Sequence, residues 1–141
     1  VRELLPLLDV LLLNENEARA IARTRGVAAA GAALAQGGPL VVIKRGADGA
    51  AAFGKDLRAP VHVPPLTAPK IVDAVGAGDC FDAGFLRAWQ LGYALEDCLT
   101  WGNRCGAASL AAAGGLAAQL RETIPASARN KSRRKTQAVA P

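Results

Sequence analysis

Apolar positions fall into short solid runs that alternate with stretches of helical spacing. Residues 7–13 are mostly leucine and valine and stop at Asn14, which predicts a buried strand. Residues 15–25 carry Ala18, Ile21 and Ala22 at helical spacing, and residues 27–36 read as an alanine-rich helix halted by Gly37, Gly38 and Pro39. Residues 40–44 form a second short apolar strand, and Asp48-Gly49 is a hairpin signal leading into residues 50–53. Residues 60–69 hold four prolines and are predicted to be extended or looping. A last short strand is predicted over residues 70–73. Two helices follow, roughly residues 79–90 and 95–112, joined at Gly92. Gly114-Gly115 then breaks the pattern, with room for a further short helix before Pro125. Strands alternating with helices predict an α/β layer fold with ligands at the carboxyl ends of the strands.

The densest chemistry lies between the last predicted strand and the helix after it. Gly76, Ala77 and Gly78 let the backbone approach a ligand closely, and Asp79 follows where the apolar pattern of Phe81, Gly84, Phe85, Ala88 and Trp89 begins. A tight glycine turn opening a helix aims free N–H groups and the positive end of the dipole at one spot, which suits a phosphate. A carboxylate in an anion site is awkward unless it has a task. The simplest is to accept the proton of a hydroxyl that attacks the phosphate. Asp79 would also serve as an N-cap, a role that can coexist with catalysis. Two other glycine loops are excluded. A dinucleotide fingerprint from Gly76 needs glycine where Phe81 stands, and a P-loop needs Gly-Lys-Ser/Thr where Phe81, Asp82 and Ala83 stand.

The run from Asp73 through Gly76-Ala77-Gly78-Asp79 to Phe85 closely resembles the C-terminal signature of the ribokinase-like, or PfkB, family of carbohydrate kinases. Three more stretches match that family in its order. Asn14-Glu15-Asn16-Glu17 is similar to its Asn-x-x-Glu motif after a strand, and Ile43 through Gly49 to its strand-end loop beside the nucleotide. Gly102 through Ala108, with Gly114-Gly115, is similar to the helix and loop near the adenine. The resemblance covers about residues 5–125 and implies the C-terminal part of a three-layer α/β/α sandwich, without the lid and the N-terminal half that carries the sugar site. It therefore implies the nucleotide half of a kinase: residues 1–126 as the kinase portion and residues 127–141 as a basic tail. The substrates implied are ATP and a sugar or sugar-like hydroxyl compound, with a homodimer in full-length relatives. The fragment alone is expected to be inactive, with a degenerate nucleotide-binding module as the alternative.

By the same resemblance Asp79 is the general base, and the N–H groups of Gly76, Ala77 and Gly78 form the anion hole. Asn14 and Glu17 act near Mg²⁺ and the phosphates through water. As residues in their own right they also read as a helix cap with its support at the third helical position. Lys44, Gly46 and Gly49 line the nucleotide, or else form a plain hairpin. Asn103 and Gly106 lie near the adenine, or else serve helix packing. Asp73 and Val75 match a monovalent-cation (K⁺) site, although Ala113 stands where relatives often carry a hydroxyl residue. Trp89 and Trp101 are expected in the core.

Composition narrows these readings only a little. Three cysteines, Cys80, Cys98 and Cys105, without a Cys-x-x-Cys pair argue against a disulfide framework and for reduced, cytoplasmic thiols. The only histidine, His62, stands alone in a proline-flanked segment, so neither metal ligation by the cysteines nor a chemical role for His62 is expected. No window approaches 18 uninterrupted apolar residues, so no membrane association is expected. The start, Val1-Arg2-Glu3-Leu4, lacks an initiator methionine and a signal-peptide pattern and reads as a cut end. The net charge of +5 arises in the tail, where Arg129, Lys131, Arg133, Arg134 and Lys135 occur without an acid. That tail reads as a solvated end, and no nucleic-acid partner is expected.

Overall fold

A computed structural model describes residues 2–67, 71–111, 113–114, 119–120 and 123–125 of the chain. They belong to two compact units, Val1–Thr67 and Ala68–Pro141. The expected short helix before Pro125 and the basic tail lie outside the described residues, wholly or in large part.

The first unit is a four-stranded mixed sheet in the order β1-β2-β3-β4, with two helices. A 3-10 turn over Arg2–Leu7 holds Pro6, so strand β1 starts at Val10 rather than at residue 7 and runs to Asn14. Helix α1, Glu15–Ala22, follows directly and ends where Arg23 turns into the left-handed region at φ 57°, three residues before the apolar pattern suggested. Helix α2, Val27–Ala35, completes the crossover to β2, Leu40–Lys44, which pairs parallel to β1 from Val10↔Leu40 to Asn14↔Lys44. Parallel neighbours require such a crossover. Val41, Val42 and Ile43 are fully buried, as the unbroken apolar run predicts for a central strand.

A 3-10 turn at Gly46–Asp48 reverses the chain into β3, Ala50–Phe53, antiparallel to β2. Gly31 lies in the middle of α2 because a Cβ there would overlap the Phe53 ring, which packs the helix onto β3. The proline-rich segment is extended, as expected, and also contributes the edge strand β4, Val61–Val63, antiparallel to β3. Pro60, Pro64 and Pro65 flank β4 rather than interrupt it, which is where proline is tolerated in a sheet.

The second unit centres on two packed helices, α3 (Ala77–Gln90) and α4 (Leu95–Ser109). They meet through small residues. A Cβ on Gly84 would lie 2.6 Å from Cys105 Sγ, and one on Gly102 would lie 2.8 Å from the Phe81 ring. Phe81, Phe85 and Trp89 stack in series along α3, and Phe85, Cys98 and Leu99 are fully buried. Burying one such large side chain stabilises by about 1.5–3 kcal/mol. Trp101 is buried as expected, while Trp89 is partly exposed.

The strand expected over residues 70–73 does not form among its described members. The N–H groups of Val72 and Asp73 donate instead to Leu110 O beyond the end of α4, at 2.8 and 3.4 Å, and Ile71 is exposed. The glycine turn thus enters from a segment tied to α4 rather than from a sheet.

Candidate functional site

The glycine turn is built by Gly76 at φ 81°, a conformation open to glycine and costly for other residues. It makes Gly76 the N-cap of α3, so the helix starts at Ala77 and Asp79 occupies the third helical position rather than the cap. Gly76 offers no capping side chain. The Ala77 N–H donates to Ala74 O at 3.3 Å and the Cys80 N–H to Gly76 O at 2.9 Å. Between them, the N–H groups of Gly78 and Asp79 have no acceptor among the described residues. They lie at the positive end of a fourteen-residue helix, an arrangement suited to an anion. The Asp79 side chain is exposed and makes no hydrogen bond or ion pair with a described residue.

Asp73 holds the turn from behind. Its Oδ1 accepts the Val75 N–H and its Oδ2 the Gly114 N–H, both at 2.9 Å, which clamps the approach to the turn against the segment after α4. These N–H donors, Gly114 first and Val75 second, hold its carboxyl below the ordinary carboxylate range. Asp73 thereby has a structural task that needs no cation. Ala113 brings no hydroxyl, and residues 112 and 115 of the stretch expected to complete a potassium site lie outside the described residues. Val75 is exposed and takes part through its N–H. Gly106 brings α4 against the same turn: a Cβ there would lie 3.1 Å from Ala77 O. Its lack of a side chain therefore serves close packing, and Asn103 lies half-buried one turn earlier on α4.

The other expected site residues lie in the first unit, at the carboxyl ends of β1 and β2. Asn14 and Glu17 form a capping box: Asn14 Oδ1 accepts the Glu17 N–H at 2.9 Å, and Glu17 Oε2 accepts the Asn14 N–H at 2.8 Å. One oxygen of each is thereby committed to α1. Glu17 Oε1 has no partner among the described residues and suits a hydrated hard cation. The described residues contain no group of three His, Cys, Asp or Glu side chains able to cage a metal. Lys44 is the register partner of Asn14 and is half-buried. Beyond it the turn closes through Arg45 N–H to Gly49 O (2.8 Å) and Gly49 N–H to Gly46 O (3.1 Å). Gly46 is open to its surroundings, whereas Gly49 presses on the backbone after β4.

Sequence reasoning missed Glu15. Its Oε1 accepts from Arg45 Nε at 2.8 Å and its Oε2 from Arg19 at 2.9 Å. The signal was available only in combination, because parallel pairing in register sets the residues after Asn14 and Lys44 side by side.

The pattern of the pfkB family of carbohydrate kinases matches residues 1–121. The chain is 34% identical over 103 residues to a cytidine kinase of Thermococcus kodakarensis, a match covering 72% of this chain and 37% of that protein. Among solved structures, an adenosine kinase from Sinorhizobium meliloti superposes with a TM-score of 0.75 at 28% identity, over 81% of this chain and 35% of that one. An Arabidopsis thaliana ribokinase solved with ribose and ATP gives a TM-score of 0.74 at 29% identity, over 81% of this chain and 38% of that one. The matched stretch thus spans little more than a third of the length of each of these relatives.

Proposed function

We propose, from the premise that the chain belongs to the pfkB family of carbohydrate kinases, that it carries the ATP-handling side of a site that phosphorylates a hydroxyl group on a sugar or on the sugar of a nucleoside. The observation that carries this reading is the Gly76 turn, which leaves the N–H groups of Gly78 and Asp79 without acceptors among the described residues and sets an unpaired carboxylate beside them. Asp79 accepts the proton of the substrate hydroxyl as its oxygen bonds to the terminal phosphorus of ATP and the bond to ADP breaks. The free N–H groups stabilise negative charge developing on the transferring phosphoryl oxygens, the kind of contribution that dominates phosphoryl transfer. Magnesium, when bound with the nucleotide, neutralises phosphate charge. On this reading Asn14 and Glu17 act on the hydrated ion and the phosphates, Lys44, Gly46 and Gly49 line the nucleotide, and Asn103 and Gly106 serve the adenine.

The 141 residues alone are expected to bind nucleotide without turnover, because the relatives named as kinases are much longer than the stretch matched here. Purified chain with Mg·ATP and a panel of sugars and nucleosides should form no ADP above background. Turnover abolished by Asp79→Ala would overturn the expected inactivity while upholding the assignment of the base. A folded chain that takes up no Mg·ATP would overturn the nucleotide-handling reading itself.

A further inference from the structure

We propose that Glu15 is a positioning residue: through Arg45 it fixes the loop of Gly46–Asp48 and Gly49, which the proposed function sets beside the nucleotide. The geometry starts from strand register. β1 and β2 end side by side at Asn14 and Lys44, so the residue that follows each strand, Glu15 at the start of α1 and Arg45, meets its neighbour without a long reach. Their side chains pair at 2.8 Å and are about three-quarters buried, with relative exposures of 24% and 28%. Burial of that degree screens the pair less than an open surface would.

Both oxygens of Glu15 are used. Oε1 takes Arg45 Nε and Oε2 takes Arg19 one helical turn along α1, so the carboxylate cannot rotate without losing one partner. Arg45 in turn reaches forward to Asp48 Oδ2 at 3.5 Å. A continuous line of charge therefore runs from the first turn of α1 through Arg45 to the tip of the loop. The backbone of that loop is held by few other bonds: Asp48 N–H to Arg45 O at 3.0 Å, Gly49 N–H to Gly46 O at 3.1 Å and the Arg45–Gly49 closure. Gly46, at φ 55° with no neighbour near its Cα substituent position, adds nothing to the rigidity of the tip. Glu15 and Arg45 supply what those bonds lack, a tether between the loop and the capped helix that carries Asn14 and Glu17.

The test uses the full chain with Glu15→Gln, Arg45→Gln and the double variant. Arg45→Gln probes the same contact from the loop side and leaves the first turn of α1 intact. Backbone amide exchange at Asp48 and Gly49 should rise about tenfold in either single variant and no further in the double, the signature of one shared contact. Exchange at Val42 and Ile43 should stay unchanged. Calorimetry with Mg·ATP should show a weakening of similar size. Unchanged exchange at Asp48 and Gly49 in both single variants would overturn the proposal, as would faster exchange with unaltered Mg·ATP affinity. If wild-type chain does not bind Mg·ATP at all, the nucleotide reading fails on that measurement, while the exchange data still decide whether Glu15 holds the loop.

Discussion

Replacing Gly49 by alanine should cost more stability than replacing Gly46, its partner in the same turn. Both have positive φ, 80° and 55°, so each alanine incurs a backbone penalty. At Gly46 that penalty stands alone, because nothing lies within 4 Å of the new methyl group. A single left-handed residue costs about 1–2 kcal/mol. At Gly49 the pairing of φ 80° with ψ −129° lies in a region nearly reserved for glycine, worth about 1–3 kcal/mol. The methyl group would also overlap Val63 O and come within 2.7 Å of Pro64 C and Pro65 N. All three are backbone atoms, so relief requires moving the end of β4, and overpacking of that kind adds about 1–3 kcal/mol. The expected totals are about 1–2 kcal/mol for Gly46→Ala and about 2–6 kcal/mol for Gly49→Ala. Trp89 and Trp101 both lie in the second unit, so fluorescence would report on the wrong part of the chain. Urea-dependent amide exchange of Val42, Ile43, Ala51 and Ala52 reads the sheet itself. Equal losses in the two variants, or a larger loss for Gly46→Ala, would refute the close approach of Gly49 to the β4 end.

Other consequences concern the helix pair, the cap and the clamp. Gly84→Ala gains about 1 kcal/mol of helix propensity but sets a methyl group 2.6 Å from Cys105 Sγ and 2.7 Å from Trp101 O. A net loss of up to about 2 kcal/mol in the tryptophan-detected urea transition is expected, and a gain would show that α3 and α4 do not meet there. Asn14→Ala should cost about 1 kcal/mol by removing the side-chain half of the capping box, read as faster exchange at the Glu17 amide. Asp73 should make the second unit acid-sensitive. Its carboxyl is depressed in the folded state, so its stabilisation is complete above the ordinary value of 3.8 and is lost as pH falls through the lower folded value. The tryptophan-detected stability of wild type should therefore fall more steeply below about pH 4 than that of Asp73→Asn, and parallel curves would exclude the clamp.

Much of this architecture can be read from residue pattern, and the misses share a cause. Solid apolar runs mark β1 and β2 because central parallel strands are buried on both faces. The capping box at Asn14 and Glu17 is a local motif, so spacing alone exposes it. Boundaries fail where an apolar residue serves something other than its expected element. Leu7 belongs to a proline-bearing 3-10 turn, and Ile71 and Val72 lie in a segment tied by hydrogen bonds to Leu110. Strand β4 hides among prolines because three residues on a sheet edge need little apolar character. Glu15 escapes because its role requires knowing which strand lies beside β1. At Gly106 both readings rest on the same atom, since the small residue that the resemblance sets near adenine is also what lets α4 reach Ala77.

The most direct test is Mg·ATP calorimetry on folded chain, comparing wild type with Gly76→Ala and Asp79→Asn. Gly76→Ala strains the turn at φ 81° and should weaken binding about tenfold if ~1–2 kcal/mol of strain falls on the phosphate site. Asp79→Asn removes a carboxylate from an anion site and should leave binding unchanged or tighten it by up to about fivefold, the effect of ~1 kcal/mol from one charge near ~4 Å in water. Binding in that order is the result expected of a phosphate turn with a general base beside it. Folded wild-type chain without Mg·ATP binding, or binding lost in Asp79→Asn, would contradict that assignment.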